Sequence, residues 1–249
     1  MLRRRRSRLP GGTSPEGAVV ERHLTGGAAV TVQLHGYQYS VYAWIARLAL
    51  HEKAIGYTWV EINPFAKDVP EAYLAMHPFG RVPTLVNGDF VLFETGAITR
   101  YIDEAFQGPA LQPSKPEDRA RVSQIISIVD GYAYWPLVRQ VFSHGVFRPR
   151  LGRPADAIEY HRGLEAAPLV LRALEQLASE GGFLVANSLS LADIHLAPMI
   201  GYFTSDPGGE TLIRQYHRLS AWWSVISVRK HLVDTRPVIP GAPQGSSSK

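Results

Sequence analysis

Apolar residues over 84–93 fall into two short runs, TLV and FVLF, on either side of Asn87, Gly88 and Asp89. Two β-prone runs joined by such residues predict a hairpin. Upstream, 30–35 (VTVQLH) and 57–62 (YTWVEI) have the length and the β-branched and aromatic content of strands. Between them the period changes. Val41, Ile45, Leu48 and Ala49 recur at helical spacing over 40–52, and Ser40 stands where a helix N-cap belongs. A helix of that length between two strands predicts a βαβ unit with a parallel, right-handed connection. A short helix is expected over 70–77. Residues 95–106 close the unit as a helix with Ile98, Tyr101 and Ile102 on one face. The predicted order is β-α-β-α-β-β-α.

The pattern then breaks. Residues 107–118, QGPALQPSKPED, are proline-rich and polar, the composition of a linker. Beyond them strand patterns vanish, and 117–145, 155–180, 190–203 and 210–232 all read as helical. Turn residues separate these segments at 148–154, 181–182 and 206–209. Pro136 falls inside the first segment and is expected to kink or break it. The fold class is therefore α/β plus all-α. A leader (1–28) is followed by a βαβαββα domain (29–106), a linker (107–118), an all-α domain (119–235) and a tail (236–249).

Composition narrows the chemistry. With 249 residues, 45% of them hydrophobic, the chain can bury a large core. Six arginines against two glutamates in residues 1–23 account for the whole formal charge of +4. The rest of the chain is neutral by formal count, so nucleic acid is not an expected partner. The absence of cysteine excludes disulfides, a cysteine nucleophile, a CxxC pair and thiolate metal sites, and it favours an intracellular protein. The nine histidines are scattered without ligand spacing, so no metal site is expected. No apolar run reaches the roughly 18 residues of a membrane span. The Arg/Gly/Pro-rich leader lacks the apolar stretch of a secretory signal, and both it and the tail are expected to be unstructured.

Two features remain to be explained. Pro83 sits at the mouth of the first hairpin strand, where it can donate nothing to a ladder. Glu94-Thr95-Gly96 opens the helix that follows, and a helix N-terminus is a ready site for a carboxylate. Four segments in order carry a family resemblance: LHGYQYSVYAWIARLALHEK (34–53), HPFGRVPTL (77–85), FETGAITRYI (93–102) and LSLADIHLAP (189–198). Together, over about residues 30–235, the chain resembles the soluble glutathione S-transferases of serine type, similar to the phi and theta classes.

The resemblance implies a thioredoxin-like first domain, glutathione as co-substrate and no metal. It implies a cis peptide at Pro83, which leaves the Val82 backbone free to pair with the cysteinyl backbone of glutathione. Thr95, where the family has serine, would offer its N–H and hydroxyl to the γ-glutamyl carboxylate while also capping the helix, and Glu94 would accept from the ammonium. Lys67 would take the glycyl carboxylate, and Arg81 would touch the ligand or a dimer partner. Ser40 matches the catalytic hydroxyl, which stabilises the glutathione thiolate and attacks nothing itself. Tyr39 and Tyr37 are the alternatives for that role; otherwise they line the electrophile pocket.

Tyr132, Tyr134, Trp135, Arg139 and Phe142 are expected to wall the second-substrate pocket or to pack in the core. Ser190 and Asp193 would cap a helix, with Asp193→Ala costing roughly 1–2 kcal/mol. Trp222 and Trp223 are expected in the core and interface. The implied reaction joins a small apolar or aromatic electrophile to the glutathione sulfur, with dehalogenation, isomerisation or peroxide reduction as variants. A non-catalytic glutathione-binding or protein-interaction module of the same fold is the alternative. A cytoplasmic homodimer is implied, with helices 95–106 and 117–145 at the interface.

Overall fold

The computed structural model of the chain describes residues 32–241. The expected leader 1–28 and residues 242–249 of the expected tail lie outside the described residues. The first half is built as the hydrophobic pattern predicts. Strand β1 (Val32–Gly36) leads through helix α1 (Val41–Glu52) to β2 (Thr58–Glu61), then α2 (Glu71–Met76), β3 (Thr84–Asn87), β4 (Phe90–Phe93) and α3 (Thr95–Ala105). The sheet order is β2-β1-β3-β4, with β1 parallel to β2 and the other pairs antiparallel. Leu34 pairs with Leu85, which in turn pairs with Leu92. Gly88, at φ +60°, makes the hairpin turn that side chains resist.

The N-terminal unit and the helices bury one continuous core. Trp44 of α1, 1% exposed, donates its indole N–H to Thr235 Oγ1 at 3.0 Å, which ties the first helix to the end of the last. Gly201 lies so close to the Trp44 ring that a Cβ there would stand 2.9 Å from it. Lys53, buried at the end of α1, is held by the Asp103 carboxylate at 3.2 Å and by the Pro109 carbonyl at 3.1 Å. The linker segment is thereby fastened to the first unit.

The second half is helical, as expected, but its winding differs. Helix α4 (Pro116–Ile128) continues as a π-helix over Val129–Phe147 and then as the single turn α5 (Arg148–Arg150). Pro136 is buried inside the π-helix and does not end it. Hydrogen bonds from i to i+5 wind the helix more widely, and such stretches cluster at functional sites. Next come α6 (Ala157–Leu177) and α7 (Leu191–Phe203). The expected single helix over 210–232 is three pieces: α8 (Pro207–Ile213), α9 (His217–Ile226) and α10 (Lys230–Thr235). Asp206 caps α8 by accepting from Gly208 N and Gly209 N at 2.9 and 3.1 Å. Within residues 236–241, expected in the tail, Pro237 and Ile239 are buried and Arg236 donates to the Gly201 carbonyl. Among the described residues, no helix is long and apolar enough to cross a membrane.

Candidate active site

Ser40 is the N-cap of α1, in extended conformation at φ −73° and ψ 124°. Its N–H donates to the Tyr37 carbonyl at 2.8 Å, and its Oγ accepts from Ala43 N at 3.3 Å. The cap therefore uses only the acceptor side of the hydroxyl. Among the described residues nothing takes its hydrogen. Ser40 is half-buried and opens onto a cavity of about 450 Å³ between the two halves of the molecule.

A second cavity, of about 270 Å³, lies against the head of α3 and is lined by Glu94, Thr95, Gly96 and Asp130. The two cavities share Tyr42, Arg81, Val82 and Tyr134, so they form one groove with Val82 at the junction. Several short interactions shape this junction. The Tyr73 hydroxyl, buried under α2, donates to the Arg81 carbonyl and pairs with Thr84 Oγ1 at 3.0 Å. Gly80, at φ +58°, closes a turn whose N–H reaches the His77 carbonyl at 2.9 Å. The Val82–Pro83 peptide is cis.

At the head of α3 the residue roles differ from expectation. Glu94 occupies the N-cap position without a side-chain cap bond, at φ +70° and ψ 116°. Thr95 is the first helical residue and is buried at 6% exposure, so it does not cap. A non-glycine residue held at positive φ costs on the order of 1–3 kcal/mol and tends to mark a site. Burial is the main cause that keeps His77 below its usual value, so its ring is neutral near neutral pH. Among the described residues its Nδ1 has no hydrogen-bond partner.

The larger cavity is aromatic. Tyr37 meets Tyr39 edge-on at 5.3 Å and Phe65 at 5.8 Å, and Tyr39 packs on Phe147 at 5.3 Å. Burial first, then the neighbouring Tyr39, raises the Tyr37 phenol above its usual value. From the π-helix, Tyr134, Val138, Phe142 and Phe147 face the cavity at intervals of four to five residues, with Trp135, Arg139 and Ser143 beside them.

Most of the residues singled out in the sequence meet in this groove: Ser40, Tyr37, Tyr39, Arg81, Val82, Trp135 and Arg139 around the larger cavity, and Pro83, Glu94 and Thr95 around the smaller. Two do not. Lys67 is exposed on the loop after β2 and lines neither cavity. Tyr132 is 68% exposed and lies off the cavity-facing rungs of the π-helix, so it is removed from the pocket wall. Sequence reasoning missed Tyr42, His77 and Asp130. Asp130 had a signal, being the one acidic residue in the apolar stretch 129–142.

Comparison with known proteins places the chain in a family. The family described as "Glutathione S-transferase, N-terminal domain" matches residues 34–110, and "Glutathione S-transferase, C-terminal domain" matches 157–222. The chain is 35% identical over 188 residues to glutathione S-transferase F10 of Arabidopsis thaliana, a match covering 74% of this chain and 86% of that one. A solved glutathione S-transferase III in apo form superposes with a TM-score of 0.74 at 28% identity, over 86% of this chain and 99% of that one. The theta class glutathione S-transferase of Xanthomonas axonopodis pv. citri, solved with glutathione bound, gives a TM-score of 0.71 at 27% identity, over 83% and 97%. The chain belongs to the glutathione S-transferase family.

Proposed function

We propose that glutathione lies along the groove, with its γ-glutamyl end in the smaller cavity and its thiol at Ser40. The carboxylate docks on the free N–H groups at the head of α3, where Thr95 also offers its hydroxyl. The ammonium is shared by Glu94 and Asp130, and the cysteinyl backbone pairs with that of Val82. Arg81, at the junction, is the cation within reach of the ligand's carboxylates.

The observation that carries this reading is the uncommitted hydrogen of Ser40 at the mouth of an aromatic cavity. A hydroxyl that donates to sulfur favours the thiolate over the thiol, and the N-terminus of α1 adds to the effect. The thiolate attacks the electrophilic carbon, a C–S bond forms, and the leaving group departs with its bonding pair. The thiol proton passes to solvent. Tyr37 is the weaker candidate, because a phenol that resists ionisation and packs edge-on against two rings serves better as a wall. Exposed Tyr132 and Phe90 supply apolar surface for a homodimer interface. A cytoplasmic location accords with a chain free of cysteine.

Conjugation of glutathione to 1-chloro-2,4-dinitrobenzene tests the assignment. Ser40→Ala is expected to lower kcat by about ten- to a hundredfold, consistent with loss of one charge-assisted hydrogen bond, while KM for glutathione changes little. Unchanged turnover moves the role to Tyr39 or Tyr37. Saturable glutathione binding without turnover in the wild-type protein points to a non-catalytic module.

A further inference from the structure

The charge on the walls of the larger cavity is one-sided. Its charged lining residues are Arg81 and Arg139, and among the described residues no carboxylate lines it. Arg81 also lines the smaller cavity and belongs to the glutathione side of the groove. Arg139 lines only the larger one. Among the described residues Arg139 has no acidic partner within ion-pair distance. Its guanidinium carbon stands 6.0 Å from the centre of the Trp135 ring, one turn back on the same helix. It also lies near Tyr134, whose phenol is raised mainly by burial and drawn back by the charge of Arg139.

A guanidinium set against aromatic rings is partly stripped of water. The Trp135 ring stands near one face, and among the described residues no carboxylate claims its N–H donors. Ser143, one turn further on, lines the same cavity, and its hydroxyl has no partner among the described residues. A cavity built for neutral aromatic substrates alone gains nothing from a cation without a counter-ion in its wall. The fork of an arginine matches a carboxylate, which it can hold through two parallel hydrogen bonds.

We propose that the second substrate is an aromatic electrophile bearing a carboxylate-type anionic group, with Arg139 as the residue that selects it and Ser143 as an accessory donor. The inference rests on the transferase reading above. The ring lies among Tyr39, Phe142 and Phe147, its electrophilic carbon toward Ser40 and its anionic group toward the π-helix. Arg139 also offsets the repulsion between that anion and the thiolate. With an aryl chloride as substrate, the thiolate displaces chloride from the ring. The C–S bond forms, the C–Cl bond breaks, chloride carries away the electron pair, and the thiol proton goes to water.

Two aryl chlorides of similar reactivity provide the test: 4-chloro-3,5-dinitrobenzoate, which carries the anion, and neutral 1-chloro-2,4-dinitrobenzene. In Arg139→Gln the ratio of kcat/KM for the benzoate to that for the neutral chloride is expected to fall about tenfold or more, the scale of one lost charge-assisted pair. Activity on the neutral chloride should fall far less than activity on the benzoate, KM for glutathione should stay within about twofold, and Arg139→Lys should fall in between. An equal fall for both substrates, or none for either, overturns the proposal. A rise in KM for glutathione overturns it as well, because Arg139 would then serve the co-substrate.

Should the wild-type protein turn over neither chloride, quenching of tryptophan fluorescence by the unreactive 3,5-dinitrobenzoate and 1,3-dinitrobenzene, with glutathione present, separates the two readings. A preference for the benzoate that Arg139→Gln abolishes sustains the anion selectivity and removes only the transfer reaction. No preference removes the anion selectivity itself.

Discussion

Ser40 and Ser190 occupy the same position in two helices and do different things with the same hydroxyl. Ser190, at the start of α7, is 2% exposed and donates its hydroxyl hydrogen to Asp193 Oδ2 at 2.8 Å. Asp193 also accepts from Ser190 N, from Leu184 N and from the Trp222 indole, at 2.8, 2.8 and 2.9 Å, with no exposure of its own. The Ser190 hydroxyl hydrogen and both oxygens of the Asp193 carboxylate are thus committed within the fold. Ser40, at the start of α1, accepts one hydrogen bond and gives none among the described residues. Both serines satisfy a backbone N–H, which is all that a cap requires. What separates a structural cap from a chemical group is whether the remaining donor is already taken, and whether it faces a cavity.

The committed end of this comparison should give the largest effect. Asp193→Ala strands three buried donors besides the cap, and each costs about 1–3 kcal/mol when left without an acceptor. A loss of roughly 3 kcal/mol or more is therefore expected, above the capping loss alone. Urea unfolding measures it, and the protein that remains folded should keep its KM for glutathione. A loss near 1 kcal/mol would mean that the network contributes little beyond an ordinary cap.

A smaller effect is expected at the open site. Burial lowers the His77 pKa from 6.5, and burial likewise lowers that of His35. Protons then bind the unfolded chain more readily than the fold. The contribution of these rings to stability is complete above about pH 6.5 and declines as pH falls below it. The melting temperature should drop between about pH 7 and about pH 5, and by less in His77→Gln, which cannot gain a proton. Equal drops in both proteins would mean that His77 is protonated as easily in the fold as out of it.

The same contrast explains how much was legible in the sequence. The hairpin, α1 with its serine cap, the Ser190–Asp193 pair and the change from mixed to all-helical architecture follow from local periodicity and turn chemistry. Ser40, Val82 and Thr95 meet because they lie at the ends of elements whose order fixes their place around the sheet. Asp130 and Tyr42 reach the groove only through packing of the π-helix against α1, where the Tyr42 hydroxyl donates to the Asp130 carbonyl at 3.4 Å. Tyr132 was misplaced for a related reason. An α-helical period does not anticipate the wider π winding, which brings Tyr134, Val138, Phe142 and Phe147 onto the cavity and turns Tyr132 to solvent. Lys67 sits in a loop where sequence spacing says little about direction.

We propose that the free hydrogen of Ser40 stabilises the glutathione thiolate. The most direct test is to follow thiolate absorbance of bound glutathione against pH in the wild-type protein and in Ser40→Ala. The bound thiol is expected to ionise well below the free value of about 8.5 in the wild type and to return toward it in the variant. A thiol that titrates at the same pH in both proteins would contradict it.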